Sequence, residues 1–164
     1  MAGNRDFLVG EAFAAAAGVA LLPDPCLRDV AGTPTLLTHG DALCTDDADY
    51  QRFRAHVRAP AWRAAFLARP LAERKREIEA LRARSEAEKR VKPPALMDAN
   101  AGAVEDALRR HGARAMIHGH THRQGRHIHR VDGHDCPRWV LGDWAPGRGT
   151  ALASAADGWR WQES

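Results

Sequence analysis

The strongest constraint on the fold is a block from Ala48 to Lys92 in which every periodic signal is helical, set between two stretches that mix strand and helix. Tyr50, Phe53 and Val57 recur at helical spacing, and Pro60 starts a new helix carrying Trp62, Phe66 and Leu67. Pro70 opens a third, long helix that ends before Pro93-Pro94. Ahead of the block lie an Ala-rich helix (about Phe7 to Ala17) and two strand-like runs, Leu27 to Val30 and Thr35 to Thr38, flanking the turn Ala31-Gly32-Thr33-Pro34. Behind it, a helix from Ala101 to His111 stops at Gly112, and a strand from Arg114 to His118 runs into Gly119. Strand candidates Arg126 to Val131 and Arg138 to Leu141 flank Asp132-Gly133, and a last hairpin is expected around Asp157-Gly158. The pattern predicts an α/β (α+β) body over 1–47 and 93–164, with 48–92 inserted as a helical cap.

Composition narrows the partners. A chain of 164 residues that is 45% hydrophobic can bury a core, which excludes disordered and collagen-like classes. A net charge of +3 from 24 basic and 21 acidic residues is too mild to call for nucleic acid. Cys26, Cys44 and Cys136 are far apart and odd in number, which suits neither a disulfide framework nor a zinc ribbon. No apolar run approaches the roughly 18–20 residues that span a bilayer. The Ala12 to Leu22 stretch follows acidic Asp6 and Glu11, unlike a signal peptide. A soluble chain, attached at most to a membrane surface, is expected.

Four polar elements fall where a strand or turn delivers a side chain to a rim: Gly3-Asn4-Arg5-Asp6, His39-Gly40-Asp41, Gly119-His120-Thr121-His122, and Gly142-Asp143. A strand fixes the backbone, so the turn just beyond it projects a ligand at little entropic cost. Glycine beside the ligand allows close approach. On extended backbone, His120 and His122 would point to the same side. An amide oxygen from Asn4 with imidazoles from His39, His120 and His122 makes a mixed N/O set suited to Mn²⁺, Fe²⁺ or Zn²⁺.

These motifs resemble the later motifs of the calcineurin-like metallophosphoesterases. The wider context, including Leu22-Pro23-Asp24-Pro25, His39 to Asp47, Met97-Asp98-Ala99-Asn100 and Ile117 to Arg123, is similar to the UDP-2,3-diacylglucosamine diphosphatase family within them. The resemblance covers nearly the whole chain. It implies a two-sheet sandwich flanked by helices, with manganese as the metal and a peripheral location on the cytoplasmic side of the inner membrane. The implied reaction is hydrolysis of UDP-2,3-diacylglucosamine to UMP and 2,3-diacylglucosamine 1-phosphate (lipid X) in lipid A biosynthesis, using water activated by metal. By the same resemblance, Asn4, His39 and His120 match ligands of a second metal, and His122 a ligand of the first. Asn4, Arg5, Asp47, Ser85, Lys89, Lys92 and His120 match substrate contacts, with Arg5 or His120 neutralising developing charge.

The family opens with a strand ending in Asp-x-His, followed by Gly-Asp-x-x-Asp/Glu, and these elements are missing before Gly3. Two dications about 3.5–4 Å apart need a carboxylate between them. This chain is therefore expected to correspond to a C-terminal portion without the first strands, and to bind at most one metal by itself. Two further readings stay open: another phosphodiesterase of the superfamily, or a non-catalytic remnant that acts as a binding module.

In the long helix, the apolar stripe Leu71, Ile78, Leu81 continues into Ser85, Lys89 and Lys92, which suits a ligand greasy at one end and anionic at the other. Trp62 and Phe66 are candidates to line an acyl groove. From Arg69 to Lys92 nine basic residues face five acidic ones, which favours an anionic membrane surface. His118 reads as a core or supporting histidine, His127, His129 and His134 as a solvated hairpin, and Cys44 as a small buried hydrophobe.

Overall fold

The computed structural model describes residues 1–155 and 158–163. They form two compact units, one of Met1–Cys44 with Ala99–Ser164 and one of Thr45–Asp98.

In the first unit, α1 (Glu11–Ala17) is followed by β1 (Cys26–Val30) and β2 (Thr33–Thr38). The helix begins later than its alanines suggest, because residues 6–9 close a turn through Val9 N–H to the Asp6 carbonyl, and Gly10 is extended. Ala31 and Gly32 both take positive φ and make a tight two-residue turn, so Thr33 and Pro34 belong to the strand.

After the second unit, the chain continues through α5 (Ala101–His111), β3 (Ala115–His118), β4 (Gly125–Val131) and β5 (His134–Val140). Here too Asp132-Gly133 is a two-residue turn, and the ladder passes from Val131 directly to His134. β5 therefore starts four residues before the expected Arg138.

The five strands lie in the order β1-β2-β3-β5-β4, with β2, β3 and β5 parallel and the two edges antiparallel. Side chains alternate across this sheet. Leu36, Met116, Cys136 and Val131 share the face that buries Val104 and Leu108 of α5, two residues one helical turn apart and both fully buried. Burying a leucine this way stabilises the unit by about 1.5–3 kcal/mol. Asn100 caps α5 by accepting a hydrogen bond from the Ala103 N–H, and also ties its own N–H to the Leu43 carbonyl.

On the opposite face Trp139 meets two tryptophans of a separate two-stranded sheet, β6 (Thr150–Ala155) with β7 (Gly158–Glu163). Its ring centroid lies 6.1 Å from that of Trp159 and 5.5 Å from that of Trp161. The expected last hairpin is thus present as a strand pair, while Asp157 lies outside the described residues.

The second unit is helical: α2 (Ala48–Arg58), α3 (Pro60–Leu67) and α4 (Leu71–Val91), followed by a 3-10 turn at Pro94–Met97. Pro60 sits in the first turn of α3, where its missing N–H costs nothing. Phe66 is 1% exposed and stacks on Trp62 at 4.8 Å. Its ring is therefore core and does not line an open groove. Among the described residues no helix is long and apolar enough to cross a membrane.

Candidate metal and phosphate site

Because β2, β3 and β5 are parallel, they deliver their carboxyl ends to one edge, where ligands gather in open α/β sheets. The loops that follow them carry His39-Gly40-Asp41, Gly119-His120-Thr121-His122 and Gly142-Asp143. Backbone hydrogen bonds fix the loops to one another: the Gly119 N–H donates to the His39 carbonyl at 3.1 Å, and the Leu141 N–H to the His118 carbonyl at 2.7 Å.

The fourth element joins from the chain start. The Asn4 N–H donates to Nε2 of His39 at 3.2 Å, and the Asn4 Oδ1 lies 3.2 Å from the same nitrogen. A Cβ on Gly3 would come within 2.8 Å of the His39 ring, so glycine is what lets Asn4 seat there. His120 completes the group, its ring centroid 5.1 Å from that of His39 in an edge-to-face arrangement. His122 is exposed, and lines the same cavity as His39, Gly119 and His120. That cavity, about 550 Å³, is also walled by apolar groups including Ile117, Leu141 and Trp159 and by the hydroxyl residues Thr150 and Ser154.

The backbone of His120 and His122 differs from the extended form expected. Both have positive φ, 64° and 55°, and neither belongs to a strand. The Thr121 N–H donates to the Gly119 carbonyl at 2.8 Å, closing a three-residue turn centred on His120. A γ-turn with positive φ at its centre is the rare, strained form. Each such non-glycine residue costs of order 1–3 kcal/mol, and such strain concentrates at working sites. The turn, not strand alternation, sets the backbone at His120.

Two supports stand behind these loops: Asp24, legible in the sequence only as part of a run, and Gly40, legible as the glycine beside His39. Asp24, in the Leu22-Pro23-Asp24-Pro25 run, accepts from the Thr38 hydroxyl at 2.6 Å and the His39 N–H at 3.1 Å, so its carboxylate pins the end of β2. Its sequence signal was a carboxylate held between two prolines. Gly40 has φ 105°, and a Cβ there would lie 2.6 Å from Nδ1 of His118. His118 is 1% exposed, in keeping with a core or supporting histidine. Cys44 is likewise buried, and all three cysteines are free. His129, by contrast, is buried and not solvated, because it alternates with Val131 onto the face beneath α5. Desolvation, reinforced by the Arg138 charge and partly opposed by Glu105, holds its imidazole below the usual pKa.

The remaining expected residues are placed as follows. Arg5 is exposed beside Asn4, and Asp41 is fully buried at the start of a 3-10 turn. In the helical unit, Lys92 Nζ lies 2.7 Å from both carboxylate oxygens of Asp47, which also caps α2 by accepting from the Tyr50 N–H. Ser85 is half-buried on the same side of α4 as Leu81, Glu88 and Lys92, whereas Lys89 is exposed and pairs with Glu86 at 3.4 Å. The structure thus brings together Asn4, His39 and His120 in one unit, and Asp47 and Lys92 in the other. Among the described residues no three His, Cys, Asp or Glu side chains close into a metal-binding group. Two imidazoles and one amide oxygen, all neutral N/O donors, still fit a borderline divalent ion.

No family model matches the chain. Among curated proteins, it is 58% identical over 142 residues to a UDP-2,3-diacylglucosamine hydrolase of Aromatoleum aromaticum, covering 87% of this chain and 58% of that one. It is 48% identical over 164 residues to a UDP-2,3-diacylglucosamine hydrolase of Nitrosococcus oceani, covering 100% and 65%. A third protein of that name, from Chromohalobacter salexigens, is 50% identical over 149 residues, covering 91% and 61%. The chain therefore spans about three-fifths of the length of the curated relatives it matches. It is a homologue of the UDP-2,3-diacylglucosamine hydrolases, similar over most of its length to their C-terminal part.

Proposed function

We propose that this chain supplies the C-terminal share of a UDP-2,3-diacylglucosamine hydrolase, which cleaves the substrate pyrophosphate to UMP and lipid X in lipid A biosynthesis. The observation that carries the reading is the convergence of Asn4, His39 and His120 at the sheet edge in a chain 58% identical to such a hydrolase. The fold reading that goes with it is the metallophosphoesterase sandwich, to which the Trp139–Trp159–Trp161 contact between the two sheets lends support.

In this reading Asn4 Oδ1, His39 Nε2 and the imidazole of His120 would hold one Mn²⁺, while His122, lining the same cavity, matches a ligand of the other metal of the family. A divalent ion at such a site supplies Lewis acidity toward a phosphoryl oxygen and a lowered pKa for bound water. Arg5, exposed beside Asn4, binds a phosphate oxygen of the substrate through its planar fork of donors. Arg5, or His120 with the ion it would hold, neutralises the charge that grows on the phosphoryl group. The apolar share of the lining beside His120 (Ile117, Leu141 and Trp159) lowers the local polarity and so strengthens both interactions.

Ser85, Lys89 and Lys92 are assigned to the sugar nucleotide, and the basic excess on α4 to an anionic membrane surface on the cytoplasmic side. Every residue of α4 is exposed or half-buried, as a surface-binding helix requires. The test grafts this chain onto the part of the Aromatoleum aromaticum relative that it does not cover. With Mn²⁺ and UDP-2,3-diacylglucosamine the chimera should release UMP, and His120→Ala should remove nearly all of that release. A folded chimera that ignores the substrate, or full turnover in His120→Ala, would count against the assignment.

A further inference from the structure

A buried polar array crosses the α5 face of the sheet, outside the group of candidate ligands. The Arg138 guanidinium donates through Nη1 to Nε2 of His118 at 3.0 Å and through Nε to Nε2 of His129 at 3.1 Å. All three side chains are buried, at 7%, 1% and 8% exposure. At the far end, His129 Nδ1 lies 3.5 Å from a carboxylate oxygen of Glu105 on α5. At the near end, His118 Nδ1 lies 2.9 Å from the Gly119 carbonyl.

The chemistry of the donors fixes the protons. Arginine keeps its charge and has only donors, so both imidazoles must present a bare Nε2 to it. Each ring then carries its proton on Nδ1, His129 facing Glu105 and His118 facing the Gly119 carbonyl. That carbonyl also accepts the Thr121 N–H that closes the strained turn at His120. The His118 ring in addition abuts Gly40, beside His39, and its carbonyl receives the Leu141 N–H. His118 thus touches the loops that follow all three parallel strands, two through its buried ring and the third through its backbone carbonyl.

We infer that Arg138 is a positioning residue: by fixing the tautomer of His118, backed by His129 and Glu105, it sets the Gly119–Thr121 turn and so the aim of His120. The functional consequence rests on the proposed role of His120, but the array itself does not.

The experiment uses the whole 164-residue chain, labelled with ¹⁵N, without metal. Long-range ¹⁵N–¹H correlations should show His118 and His129 both protonated on Nδ1. In Arg138→Met, His118 should pass to a tautomer mixture, and the Thr121 amide should exchange at least tenfold faster than amides of α5. Arg138→Lys, with a point charge and no planar fork, should rescue only part of that protection. Glu105→Gln, at a half-exposed helix position, should fold normally and loosen His129 while leaving His118 in place. An Nε2-protonated His118 in the parent chain overturns the inference even where Arg138→Met fails to fold. Unchanged tautomer and Thr121 protection in a folded Arg138→Met protein overturn it equally. Mn²⁺ titration of the same variants separates the two ideas: an intact array with no metal response indicts the proposed function alone.

Discussion

Nε2 of His39 lies 3.2 Å from Oδ1 of Asn4, although 35 positions of sequence separate them. The contact depends on Gly3, whose missing Cβ leaves room for the His39 ring. Gly3→Ala should therefore push Asn4 off the imidazole and weaken Mn²⁺ binding about tenfold, the usual scale for a disturbed ligand support. Calorimetric titration, with thermal melts to show the fold intact, checks it.

Gly40→Ala should destabilise the chain strongly. A side chain at φ 105° is strained by about 1–3 kcal/mol. The added Cβ also meets the buried His118 ring at 2.6 Å. A loss of at least about 2 kcal/mol in urea unfolding is expected.

Acid should destabilise the fold through His129. Burial and the neighbouring Arg138 lower its folded pKa, with Glu105 acting in the opposite sense. The unfolded chain, with an ordinary imidazole near pH 6.5, then binds the proton more readily than the folded one. Stability should be flat above that pH and fall below it, by at most about 1.4 kcal/mol per pH unit from this one group. The decline ends once the pH drops below the folded pKa. His129→Gln should remove this share of the slope in paired urea titrations at pH 7 and pH 5.5.

Asp47 does two tasks in the helical unit, capping α2 and holding Lys92 at 2.7 Å. Asp47→Ala should cost about 1 kcal/mol for the cap alone. Asp47→Asn keeps a capping oxygen and should recover most of that. It leaves Lys92 without the charge, so comparing the two variants by thermal unfolding separates cap from ion pair.

Much of the architecture was legible because it is local. Prolines at 60, 70 and 93 punctuate the helices, and Gly32 and Gly133 mark the two hairpin turns. Pairing order was not legible, since the parallel neighbours β2 and β3 are brought together across the whole helical unit. The rim position of His39 followed from its place after a strand. The left-handed backbone of His120 and His122 did not, because non-glycine residues adopt it only when surrounding contacts impose it. His129 read as solvated for a similar reason: a polar residue looks exposed until its partner, here Arg138 on the adjacent strand, is known.

Calorimetric titration of Mn²⁺ into the 164-residue chain tests the assigned ligand set most directly. One weak site is predicted, abolished in His39→Ala and in His120→Ala and diminished in Asn4→Ala, with all three variants folded. Two tight sites, or one that survives the loss of both imidazoles, would contradict it.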